Sequence, residues 1–120
     1  FDAAVDYDDI AFEGWTNQIV VGDRAWQGKT FSENKYAQAT GHNSGLSDME
    51  TWLITPPVIN SAGDKKLSFK SAMAYWSHQD GNKPMTVWAS TNYNGTYFET
   101  ANWTDITDKV SVPSSSSGDN

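Results

Sequence analysis

No stretch of this sequence sustains the i, i+3, i+4 spacing of an amphipathic helix. Short β-type runs recur instead, each closed by Gly, Asn or Pro. The run ETWLITPPVI at 50–59 is the sharpest of them. Trp, Ile and Thr fit a pleated, half-buried backbone, whereas two consecutive prolines cannot donate ladder hydrogen bonds. The run therefore predicts a short strand over 51–55 that stops at Pro56, with Trp52 and Leu53 or Ile54 feeding the core.

Alternation is cleanest at 66–75 (KLSFKSAMAY), where Leu67, Phe69, Ser71, Met73 and Tyr75 share one face and Lys66, Ser68 and Lys70 the other. A loop at 77–84 follows, and its Asp80-Gly81 pair is a hairpin signal. Residues 85–90 (MTVWAS) then alternate again, which predicts an antiparallel pair. Weaker strand signals lie at 17–21, 36–40 and 103–107, with turn-rich loops at 60–64 and 92–96. Regularly spaced short strands predict an all-β fold, an antiparallel β-sandwich of jelly-roll type over 1–113. The SSSSGDN tract at 114–120 has loop or linker composition.

The length of 120 residues suits one domain with a single core. Only 38% of residues are hydrophobic, so six Trp, five Tyr and five Phe must supply much of the burial. A net charge of −7 with scattered Lys and Arg argues against a nucleic-acid partner, which needs clustered cations. With no cysteine, disulfides, zinc thiolates and thiol catalysis are all excluded. No apolar run approaches the length of a membrane span, so membrane insertion is not expected. The first residue is Phe1, not Met, and a processed or excised piece without its targeting segment is the expectation.

Catalytic signals are sparse. His42 and His78 lie in loop sequences without an HExxH context, and no Gly-x-Ser-x-Gly elbow occurs. Asp6, Asp8, Asp9 and Glu13 superficially suggest a calcium loop, but the glycine and the glutamate that an EF-hand needs are missing; a solvated acidic segment is the simpler reading. Of the six tryptophans, Trp88 is opposite in parity to Met85, Val87 and Ala89, and Trp76 borders a loop. These two are expected at the surface, where an indole beside Asn, Gln and Asp can stack a sugar ring or anchor a protein. The alternative is that a loop from elsewhere covers them. Trp76, Trp88, His78 and Tyr93 form the candidate ligand-binding set.

The segments WLITPP (52–57), LSF (67–69), VWAST (87–91) and WTDIT (103–107) together resemble the cleaved-adhesin, or choice-of-anchor J, domains of secreted Bacteroidetes proteins. FEGW (12–15), GDRAW (22–26) and YAQAT (36–40) look like the upstream segments of that family, so the resemblance covers roughly 12–107. It implies a jelly-roll sandwich related to adhesion modules of the MAM type, no catalysis, and a secreted or cell-surface location. It also implies structural calcium in the loops, with Glu13, Asp23 and Asp80 at the matching positions.

The expected function is non-catalytic binding or adhesion at the bacterial cell surface, to glycan or protein. One alternative is an accessory, substrate-targeting module of a secreted hydrolase; another is a hydrolase using Glu13, Glu50 or His78. Because such domains carry further strands after the Trp-Thr segment, completion of the sandwich by another segment or a second chain is expected. A shortened sandwich that closes by itself is the alternative.

Overall fold

The structure is a computed structural model that describes residues 1–58, 63–64, 66–74 and 84–113. Among the described residues the regular structure is strands and two short 3-10 turns, without α-helix, so the chain is all-β. The chain divides into two compact units: Phe1–Val58 with Asn94–Phe98, and Ile59–Tyr93 with Glu99–Asn120.

In the first unit β1 (Thr16–Val21) lies antiparallel to the strand Glu50–Ile54, with Gln18 opposite Trp52. Ile19 pairs with Thr51 and Val21 with Glu50, so Val20 is an extra residue that bulges the edge. The partner strand stops at Ile54, two residues before Pro56, as the paired prolines predict. Of the expected core residues Ile54 is buried, but Trp52 is only half-buried. Its ring meets Phe98 edge-on at 4.9 Å, while its Nε1 donates to Glu50 Oε1 at 3.0 Å. An indole that must satisfy its N–H keeps its polar edge toward water.

The second sheet of this unit is a hairpin of β2 (Gln27–Phe31) and β3 (Asn34–Gln38). Ser32 and Glu33 between them both take positive φ, 48° and 66°. That is the geometry of a two-residue type I′ turn, whose twist matches the strands it joins. The strand expected at 36–40 is thus shifted to Asn34–Gln38, and its partner carries no glycine–asparagine turn signal. The edge strand Glu50–Ile54 is β4 in chain order.

The N-terminal segment docks on β2 through single bridges, Asp6 to Gly28 and Asp9 to Gln27. Tyr7 N–H donates to Gly28 O, Gly28 N–H to Asp8 O and Ile10 N–H to Trp26 O, each at 2.9 Å. A side chain at Gly28 would collide with the Val5 carbonyl and crowd Ala4, so only glycine permits this approach. Asn17 clamps the same region. Its Nδ2 donates to Ile10 O (3.1 Å) and Trp26 O (2.8 Å), and its Oδ1 accepts from Trp26 N–H (3.0 Å). Trp26 Nε1 donates to Thr51 O at 3.1 Å and so ties β2 to β4. Ala4, Ile10, Ala25 and Ile54 are the buried apolar residues here.

In the second unit β5 (Trp88–Ala89) pairs antiparallel with β6 (Thr104–Asp105), Trp88 opposite Asp105 and Ala89 opposite Thr104. Thr107 is buried and closes the ladder. Its Oγ1 accepts from Val87 N–H at 2.9 Å and donates to Asp105 Oδ1 at 2.6 Å. Ile106 N–H donates to Val87 O at 2.9 Å, and the chain then turns into the 3-10 turn Thr107–Lys109. That turn is why the strand expected over 103–107 shrinks to two residues. Met73 and Val112 supply the buried apolar atoms.

The strand expected at 66–75 does not form over its described part, 66–74. Leu67 and Phe69 are exposed, and the segment expected to pair with it joins β6 instead. Alternation supplies a face, but a strand also needs a ladder partner. The Asp80-Gly81 hairpin signal lies outside the described residues.

Candidate functional site

Of the four candidate ligand-binding residues, Trp76 and His78 lie outside the described residues, and so does Asp80. Trp88 and Tyr93 are both in the second unit. Trp88 stands at the sheet surface, 38% exposed. Its ring is held, not loose: Nε1 donates to Thr86 Oγ1 at 2.9 Å. The short ladder orients it, since residues opposite one another in an antiparallel pair project to the same face, here Trp88 and Asp105.

Tyr93 is half-buried and packs on Trp103, ring centroids 5.3 Å apart and planes tilted by 42°. Trp103 directly precedes β6, so the ring pair adjoins the ladder that carries Trp88. The loop holding Tyr93 is organised by Ser90 and Asn92. Ser90 Oγ accepts from the backbone N–H of Asn92 and of Tyr93, both at 3.2 Å, and donates to Asn92 Oδ1 at 2.9 Å. Asn92 Oδ1 also accepts from Asn102 N–H at 2.8 Å, which locks the Tyr93 loop to the approach of Trp103. The result is two aromatic surfaces edged by exposed amides, hydroxyls and the Asp105 carboxylate. Flat apolar rings with hydrogen-bonding groups at their rim suit a ligand with an apolar face and polar edges.

The sequence pattern pointed to Trp88 but not to Trp103, Ser90, Asn92 or Asn102. Asn-rich composition around the WTD segment was the available signal; what it lacked was the cross-loop bond from Asn102 to Asn92, which joins residues ten apart.

Of the expected metal residues, Glu13 and Asp23 both lie in the first unit. Glu13 precedes β1 and Asp23 follows it, so the six-residue strand separates them along the chain. Among the described residues no three His, Cys, Asp or Glu gather as a metal site. Glu50, considered as a catalytic carboxylate, accepts the Trp52 indole N–H. Asp6 and Lys29, in the first unit, are electrostatically perturbed. Asp6 is held below the usual carboxylate value, first by a hydrogen bond from the Thr30 hydroxyl and then by Lys29, against an opposing desolvation. Lys29 is raised, first by its hydrogen bond to Tyr7 Oη at 2.6 Å and then by the charges of Tyr7 and Asp6. Lys29 Nζ also sits 4.0 Å over the Tyr7 ring and 3.5 Å from Asp6 Oδ2. Both groups are solvent-exposed, so this is a surface cluster and not a poised acid or base.

Among the described residues no helix is long and apolar enough to cross a membrane. No protein-family model, curated protein or solved structure matches the chain.

Proposed function

We propose that this chain is a non-catalytic binding module that recognises a glycan through Trp88 and the Tyr93–Trp103 pair. The observation that carries the reading is an exposed indole, fixed by Thr86 and set on a ladder adjoining a second aromatic pair with an amide rim. A pyranose offers what such a surface takes: a C–H face for stacking and hydroxyls for Asn, Thr and Asp at the edges. Secretion or display at the bacterial cell surface, and a jelly-roll sandwich, belong to the same proposal and rest on the resemblance of the 52–57, 67–69, 87–91 and 103–107 segments. Calcium belongs to it as a structural ion, held by the loop carboxylates of Glu13 and Asp23 with backbone carbonyls adding ligands.

A glycan array read by tryptophan fluorescence tests the proposal. Binding is expected, and Trp88→Ala should weaken it by about 1–3 kcal/mol, as for an anchor residue, with the melting temperature little changed. A variant that unfolds makes Trp88 a packing residue and sinks the platform. Turnover of a generic substrate by the isolated chain would replace binding with catalysis.

A further inference from the structure

The first unit carries a second surface feature that the aromatic platform does not use. A groove of about 240 Å³ runs along the N-terminal segment. Ala4 and Ile10, both buried, form its floor, with Val5, Ala11 and Phe12 on its sides and Asp8 and Asp9 in its lining. Phe12 continues into an aromatic group, 6.0 Å from Phe1 and 6.4 Å from Trp15 by ring centroid.

Charge along the segment that lines the groove is one-sided. Arg24 is the first basic residue of the chain, whereas Asp2, Asp6, Asp8, Asp9, Glu13 and Asp23 all precede it. The nearby cations are already engaged. Lys29 bonds Tyr7 and Asp6, and Lys35 Nζ donates to the Ala4 carbonyl at 3.0 Å. Asp8 and Asp9 have no ion-pair partner among the described residues. Their backbones, not their carboxylates, hold the segment to β2, through the Gly28 N–H to Asp8 O bond and the Asp9–Gln27 bridge.

We infer that this groove receives an arginine side chain from a protein partner. Clefts that enclose a whole small ligand span roughly 300–1,000 Å³, so the smaller volume here suits a single side chain. An arginine lays its aliphatic stem along apolar atoms and keeps its charged head at the rim, where Asp8 and Asp9 supply carboxylates. Its planar guanidinium also meets a carboxylate with two parallel N–H bonds and stacks on a ring such as Phe12, which a compact ammonium does not do. The surface is distinct from the glycan platform and stands or falls separately from it.

The test uses the whole chain, ¹⁵N-labelled, titrated with the blocked peptide acetyl-Gly-Ser-Arg-Ser-Gly-amide and with its citrulline counterpart, which keeps the shape and removes the charge. Amide shifts are expected to concentrate on residues 3–12, with the citrulline peptide about tenfold weaker, the loss that removing a charge pair brings. The double variant Asp8→Asn with Asp9→Asn should bind about tenfold more weakly at an unchanged melting temperature. Ala11→Leu, exposed and at the groove, should block the peptide, and Trp88→Ala should leave its binding intact. Equal affinity for the citrulline peptide overturns the inference. So do the absence of any shift, and shifts spread over all acidic residues that vanish with salt.

Discussion

The two units are held by different means. The first is fastened by polar groups that bridge chain segments: Asn17 to Ile10 and Trp26, Trp26 to Thr51, and Arg24 to the Thr40 and His42 carbonyls at 3.0 and 2.8 Å. Among its described residues the second has a two-residue ladder closed by one buried hydroxyl, Thr107, beside the Asn92–Asn102 bond. Among its described residues Trp88 stands outward and Tyr93 and Trp103 half-outward. Small sheets bury little, so each unit needs side chains to satisfy its backbone. In the first unit that task consumes its polar side chains. In the second, a single threonine satisfies the ladder end and leaves Trp88 at the surface. The contrast suggests where substitutions should hurt the fold and where they should hurt only binding.

The largest effect is expected at Gly28. Any side chain there meets the Val5 carbonyl, which is backbone and cannot swing aside. Gly28→Ala should cost about 3 kcal/mol or release the N-terminal segment from β2 altogether. Thermal melts and amide exchange at Tyr7 and Ile10 check this. A neutral result would mean that the N-terminal segment does not dock as described. Next is Asn17→Ala, which strands the Trp26 N–H and removes two donors from the Ile10 and Trp26 carbonyls. About 2 kcal/mol is expected from groups of this burial. Asn17→Gln, which keeps the amide but not its reach, should not rescue it.

The sequence made some of this legible and hid the rest for physical reasons. The end of β4 was readable because proline acts locally, through its missing N–H. So was the position of β1, whose β-branched residues need no distant information. The hairpin at Ser32–Glu33 was not, because neither residue favours positive φ and the twist of the flanking strands decided the turn. Residues 66–74 misled in the opposite direction: their pattern is regular, yet pairing is a property of two segments, and the segment expected as partner contributes β5 to a pair with β6 instead. For the site, parity identified Trp88 as exposed. Nothing local reports that Asn92 accepts from Asn102.

A smaller loss is expected in the second unit, and it sharpens the contrast. Thr107→Val keeps the shape and removes the hydroxyl, leaving Val87 N–H without its acceptor and Asp105 Oδ1 with the Thr107 N–H but not the hydroxyl as donor. A cost of about 1–2 kcal/mol should follow, read as a lower urea midpoint with unchanged slope. Because the ladder also orients Trp88, glycan binding should weaken alongside stability. Lost stability with binding untouched would show that β5 and β6 do not position the indole.

The smallest effect should come from the surface charges of the first unit, and pH isolates it. Asp6 has its folded value depressed by the Thr30 hydroxyl and Lys29, so its contribution is present above the unfolded carboxylate value and fades as pH falls through the folded one. Lys29 is raised by Tyr7 and Asp6, so its contribution is present below the unfolded lysine value and fades as pH rises through the folded one. Between about pH 5 and pH 9 both are in place, given unfolded values near 3.9 and 10.4. Asp6→Asn should therefore lower the melting temperature slightly and evenly across that window, and the gap from the parent should close below about pH 4. Salt should shrink it as well, since both partners face solvent. A gap that persists in acid would show that Asp6 acts through its side-chain hydrogen bond with Thr30 and not through its charge, and the contrast between the units would then rest on uncharged bonds alone.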